Sequence, residues 1–371
     1  MSRVGSYLEV VEMRRLATVV LCCCAFVFGS AWAGPVSLKP DQVDTLRELV
    51  VKDPEARNLY GQLRKAADSA LNDKPRPVEV VIGEGKLDSD LGKIKSDAAL
   101  KDMPKITALS WVWLVSGDQR YAVKGEEFIS AWARTNKSDG DPINESGFER
   151  LIVGYDILRP QFSREDRAVV DDWLREKAVM LWNDPRHRTE NWQSHRLKIV
   201  GLIATVLQDD GLWKAVENGY TKQISSSFLP NGESTDFQLR DAMHYHLYSV
   251  LPLLTLSCVA RQRNHDWYEY QAPSGASLKR AVDFITPYAL REKPHVEFAH
   301  STVKFDMARA KAGEGEYAAH EWSTCTAGPV YSEASCVDPN AEDLAIKTWC
   351  GVPHKRFVDW ESVLGFIKLQ R

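Results

Sequence analysis

The sequence predicts an all-α protein, an α/α toroid: an incomplete α/α barrel built from antiparallel helix pairs. Three observations predict it. Helix signals follow one another along the chain, the loops between them are short and polar, and strand-like alternation is confined to Val78–Ile82. Twelve tryptophans among 371 residues suit the large core that two helical layers require.

The elements follow in chain order. Arg14 and Arg15 form a basic region, Leu16 to Phe28 is an apolar run, and Ala31-Trp-Ala33 is a small-residue cleavage site, so residues 1–33 read as an export signal, with Met13 an alternative start. The apolar run is too short to serve comfortably as a membrane span. The mature chain, residues 34–371, is expected to be one domain, periplasmic or secreted, and off the membrane once the signal is removed. Asp53-Pro54-Glu55 is an N-cap followed by proline at the first helical position, leading into Leu59, Leu63, Ala66, Ala67 and Ala70. Ser163 to Asp166 resembles a capping box. Val170, Trp173, Leu174, Ala178 and Leu181 then share one face, and Asn183-Asp-Pro185 stops the helix. Further helices are predicted around 103–116, 120–135, 146–158, 195–208, 211–227, 237–262, 276–291 and 356–369.

The formal charge of −4 offers no basis for nucleic-acid binding. An anionic polymer would need basic groups gathered in a groove against that global field. Four cysteines follow the cleavage site. One bridge is expected among Cys325, Cys336 and Cys350, while Cys258, in an apolar helical run, reads as a buried free thiol. The cysteine spacing does not suit a zinc site, and neither a metal nor another cofactor is called for.

Chemistry concentrates in two segments. In Asn191-Trp-Gln-Ser-His195, the amide and the imidazole stand four residues apart, on one face near a helix N-terminus that favours an anionic ligand. A capping asparagine beside a hydrogen-bonded core histidine would give the same pattern. In Arg240-Asp-Ala-Met-His-Tyr-His-Leu-Tyr248, a continuous helix would align Arg240, His244 and Tyr248 on one stripe, and Asp241, Tyr245 and Tyr248 on its neighbour. His246 would point elsewhere. The helix then turns apolar, so this His/Tyr-rich face sits at the end of a buried element, unlike a Lys/Glu-rich solvated face. His295 and His300, in Pro294-His-Val-Glu-Phe-Ala-His300, are further binding candidates. Arg188, with Arg186 and His187, could add positive field, and the charged Gly83–Lys86 loop could close over a polymer.

An amide, a guanidinium, imidazoles and phenols are the groups that β-elimination at a uronic acid uses. Donors neutralise the C6 carboxylate, which stabilises the enolate-like transition state. A tyrosine or histidine takes the C5 proton, and a tyrosine can protonate the departing O4. That role asks for a tyrosine pKa depressed by neighbouring cations.

With those segments, Trp113-Leu-Val-Ser-Gly-Asp-Gln-Arg-Tyr121, Phe128-Ile-Ser-Ala-Trp-Ala133, Gly154-Tyr-Asp156 and Leu251-Pro-Leu253, the chain resembles the alginate lyase superfamily of polysaccharide lyases. The resemblance implies a helical toroid in which His195 corresponds to the catalytic histidine and Tyr245 to the catalytic tyrosine. Asn191 matches the carboxylate-neutralising asparagine, although it stands four residues before the histidine rather than beside it. The family arginine falls at Gln238 here, and Arg240 is the nearest substitute. Both departures mark a divergent branch.

The reading is therefore an exported, monomeric polysaccharide lyase cleaving a 1,4-linked polyuronate. The catalytic set is His195, Tyr245, Asn191 and Arg240, with His244, Tyr248, Asp241, His300, His295 and Arg188 binding the polymer. Alginate is the expected substrate, and glucuronan is the rival because the two uronates differ only at C2. A glycoside hydrolase would use paired carboxylates, Asp236 with Asp241 or Glu145 with Glu149. A non-catalytic uronate-binding protein would need no reacting tyrosine.

Overall fold

The computed structural model describes residue 36 and residues 38–369. The export signal read at residues 1–33 lies outside them. Helix follows helix, and the predicted caps form. Asp53 accepts hydrogen bonds from the Glu55 and Ala56 backbone N–H groups at 2.9 Å each, and Ser163 Oγ accepts from Asp166 at 3.0 Å. No described helix is long and apolar enough to cross a membrane.

The helices sort into two layers according to how much of their circumference is apolar. Glu190–Val206 buries nearly every residue from Asn191 onward, and Met243–Gln262 is buried on most of its faces. With Asp102–Ser116 and Glu149–Leu158, they form the inner layer. Gln119–Thr135, Arg164–Asn183, Asp210–Ser227 and Leu278–Ala289 bury one stripe each and pack outside it. Gly201 sets the approach of the two inner helices that carry the motifs, because a Cβ there would collide with Leu256 Cδ1. The inner layer lines an open chamber of about 940 Å³ together with Pro54–Ala70 and Trp360–Leu369.

Three expectations need correction. Val78–Ile82 is irregular rather than a strand, because no strand among the described residues takes up its hydrogen bonds. The Asn136 amide donates to the Val78 and Glu79 carbonyls, Lys137 N–H to the Glu79 carbonyl, and Ile82 N–H to Ser96 Oγ. The described strands are a two-residue pair, Val296–Glu297 antiparallel to His320–Glu321. Cys258 is not a free thiol. Met243–Gln262 packs on Gly328–Ala334, which brings Cys258 to a Cα separation of 5.7 Å from Cys336, and the two are bridged. Cys325 pairs with Cys350.

The third correction shapes the site. The helix predicted over 237–262 is two helices, Thr235–Arg240 and Met243–Gln262. Between them Asp241 is left-handed (φ 48°), a conformation aspartate tolerates better than most residues, and Ala242 is extended. The break is held from outside. The Glu297 carboxylate accepts from Met243 N–H at 2.6 Å and His244 N–H at 2.9 Å, capping the second helix. Asp241 accepts from His300 N–H at 2.9 Å and lies 2.8 Å from its Nδ1.

Candidate active site

Two cavities share Tyr248 as a wall, together with Leu100 and Gly147. One is the chamber, which His195 lines. The other is a cleft of about 350 Å³ lined by Asn191, Trp192, Arg240, His244, Tyr245, Tyr248, Arg309 and Tyr317. Gly83 and Glu84 also face the cleft, and Asp88 N–H donates to Glu314 at 2.8 Å, tying this loop to the segment carrying Arg309 and Tyr317.

Tyr245 is the most constrained phenol of the cleft. Arg240 lies over its ring, 3.8 Å from the centroid, and forms an ion pair with Asp306 at 2.5 Å. Tyr245 Oη donates to Asp306 at 3.3 Å and accepts from Arg309 Nη1 at 3.4 Å. Arg309 itself lies against Phe305 at 4.3 Å and Tyr317 at 4.4 Å. The depressed tyrosine pKa asked for above is not found. Burial pushes Tyr245 well above its ordinary value, and the nearby Arg240 and Arg309 only partly offset it, so the resting group is a neutral phenol.

His195 and Tyr245 do not face one another directly. Tyr248 lies between them, its ring 4.2 Å from that of His195 and 6.4 Å from that of Tyr245. His195 Nδ1 is 2.6 Å from Ser146 Oγ, while its buried Nε2 has no well-formed hydrogen bond among the described residues. Burial first, then the Lys198 ammonium, lower the His195 pKa well below its ordinary value, with the Tyr248 backbone opposing. The ring is therefore neutral rather than a cationic carboxylate sink. Asn191 is buried and donates to Asp236 at 2.7 Å. Ser249 donates to the other oxygen of Asp236 at 2.5 Å, and burial raises the pKa of that carboxyl.

The predicted residues thus divide. Asn191, Arg240, His244, Tyr245 and Tyr248 share the cleft, and His195 stands behind Tyr248. His244 opens onto the cleft and stacks on Tyr248 at 6.1 Å. Surrounding protein lowers its pKa, despite opposing pull from Glu297 and Glu316. Asp241, His295 and His300 do not line the cleft. Asp241 and His300 pair beside the helix break, and His295 reaches Glu297 at 3.2 Å. Arg188 donates to the Trp182 carbonyl at 2.7 Å and also lies off the cleft. His246 is a core residue bonded to Ser234 and the Ala281 carbonyl. Sequence reasoning missed Trp192, Asp306, Arg309 and Tyr317. Trp192 stood inside the first motif. The other three lie far downstream in a charged stretch with no distinguishing pattern.

An α/α toroid with a cleft lined by tyrosines and ion-paired arginines is the class these features define. A family model described as alginate lyase matches residues 54–295. The chain belongs to the alginate lyase family. It is 27% identical over 199 residues to a polysaccharide lyase of Stenotrophomonas maltophilia (strain K279a), a match covering 48% of this chain and 56% of that protein. The matched region thus spans little more than half the length of that relative. In fold it is similar to an alginate lyase from Bacteroides ovatus, with a TM-score of 0.67 at 16% identity over 91% of this chain and 99% of the other. An alginate lyase from Sphingomonas species A1 superposes with a TM-score of 0.54 at 17% identity, over 69% of this chain and 78% of the other. A variant of that lyase has been solved with a tetrasaccharide bound.

Proposed function

We propose that this chain is an exported, monomeric polysaccharide lyase that cleaves a 1,4-linked polyuronate, alginate by preference, through β-elimination. The observation that carries the proposal is Tyr245, held between Arg240 and Arg309 with its hydroxyl on Asp306, in a cleft that also contains the Asn191 amide. Two guanidinium groups and an amide can take up charge developing on a substrate carboxylate. Asp306 accepts the phenol proton, and the resulting phenolate, stabilised by both arginines, removes the C5 proton. The bond between C4 and O4 then breaks, and Tyr245 passes that proton to the departing O4, an outcome with syn stereochemistry. Asp306 finally returns its proton to Tyr245, which restores the starting state.

Glucuronan would react by the same steps, because only C2 differs and C4 and C5 are unchanged. Hydrolysis is supported less well, since the available carboxylates are engaged. Glu145 pairs with Lys177, Glu149 with Lys198, Asp236 with Asn191 and Ser249, and Asp241 with His300. The test incubates the purified mature chain with polymannuronate, polyguluronate, glucuronan and hyaluronan. Ultraviolet absorbance from unsaturated uronate ends is expected to rise with polymannuronate. New reducing ends without that absorbance would indicate a hydrolase, and binding without cleavage a uronate-binding protein.

A further inference from the structure

A chain of side chains behind His195 determines which of its ring nitrogens carries the proton. Lys198 Nζ lies 2.5 Å from Glu149 Oε2 and 3.1 Å from Ser146 Oγ, and Ser146 Oγ lies 2.6 Å from His195 Nδ1. An ammonium has only donors, so Ser146 Oγ must accept from Lys198. The single proton of the hydroxyl is then free to point at His195, which makes Nδ1 an acceptor. In a neutral imidazole the remaining proton sits on the other nitrogen. That nitrogen, Nε2, is the buried atom with no well-formed hydrogen bond among the described residues.

We infer that Glu149, Lys198 and Ser146 are positioning residues that hold His195 as a neutral Nε2–H tautomer behind Tyr248. The arrangement excludes His195 as the base that removes the C5 proton, because its only free nitrogen is already protonated and its other lone pair is occupied. It leaves proton abstraction to a tyrosine. In the alternative tautomer Nδ1–H would take the second lone pair of Ser146 Oγ, and the hydroxyl proton would be left without an acceptor among the described residues. Hydrogen-bond complementarity therefore selects the Nε2–H form. Lys198 adds a second effect, since a nearby cation disfavours a charged ring.

The effect on turnover rests on the proposed lyase reading, but the tautomer can be measured without it. Long-range proton–nitrogen correlation spectra of nitrogen-15-labelled protein at neutral pH, assigned by comparison with His195→Gln, report each ring nitrogen separately. The wild type is expected to show a protonated Nε2 and an unprotonated Nδ1. Ser146→Thr keeps a hydroxyl and should retain that signature. Ser146→Ala should let the second tautomer populate, moving the two nitrogen shifts towards each other, and lower kcat about tenfold with KM nearly unchanged. A wild-type ring protonated at Nδ1, a charged ring at neutral pH, or a Ser146→Ala ring with unaltered shifts would overturn the inference. Those results leave the lyase reading standing. Conversely, a chain that cleaves no polyuronate but shows the Nε2–H ring removes the lyase reading and keeps the tautomer.

Discussion

The guanidinium of Arg240 lies 3.8 Å from the centre of the Tyr245 ring, although the two residues belong to different helices separated by a left-handed aspartate. On an uninterrupted helix, positions five apart do not share a face. The break at Asp241 and Ala242 folds Arg240 over the phenol and places Asp306 against both groups.

Tyr245→Phe removes the proton carrier and leaves the ring to stack under Arg240. Turnover on the preferred polyuronate should fall by about three orders of magnitude or more, with binding of an oligosaccharide retained. Titration calorimetry beside the ultraviolet assay separates the two effects. Retained turnover would exclude Tyr245 as the acid and base.

Arg240→Lys keeps the charge but loses the planar group that covers Tyr245 and reaches Asp306. A fall in kcat/KM of about ten- to a hundredfold is expected, with a smaller change in thermal midpoint. A variant indistinguishable from the wild type would show that the stacked guanidinium contributes nothing to the reaction.

Glu297→Gln weakens the cap on Met243–Gln262 without altering the cleft lining. The carboxylate accepts from two N–H groups at the start of that helix, and its loss should destabilise the fold by about 1–2 kcal/mol. Activity should fall with it, because the cap holds the break that places Arg240. Denaturant unfolding read with the ultraviolet assay checks both effects.

Opening the Cys258–Cys336 bridge, with both residues changed to serine, should cost about 2–4 kcal/mol, since the bridge closes a long loop in the unfolded chain. Chemical unfolding with and without reductant measures it. Cysteines that remain free in the oxidised wild type would contradict the pairing.

Stability should also decline on both sides of an optimum in pH. Glu333 and Glu361 line the chamber, and the surrounding protein, with repulsion from Glu149 at Glu333 and from Glu333 at Glu361, holds both above the ordinary glutamate value of 4.5. Folded protein therefore binds more protons than unfolded protein above pH 4.5, and stability is lost as pH rises through the folded values. His195 and His246 act in the opposite sense. Burial lowers their pKa below 6.5, so stability is lost as pH falls from 6.5 through the folded values. Glu361→Gln should flatten the alkaline limb of a thermal-midpoint profile, and an unchanged limb would assign that dependence to other groups.

The sequence by itself determined the helical architecture and the two motif segments. Apolar spacing and local capping are properties of consecutive residues, and the Asp53 and Ser163 caps form as their neighbours dictate. Asn191, Arg240, His244, Tyr245 and Tyr248 were all marked by residue type before any fold was in view. Only the tertiary structure decided how these groups face one another. The break at Asp241 depends on Glu297 and His300, more than fifty residues away, and the cleft is completed by Asp306, Arg309 and Tyr317. The same holds for protonation. Sequence spacing suggested cations that would ionise a tyrosine and a histidine that could carry charge, but burial within two helical layers keeps both neutral. Desolvation depends on everything packed around a group, and that sum is fixed only when distant segments of the chain come together.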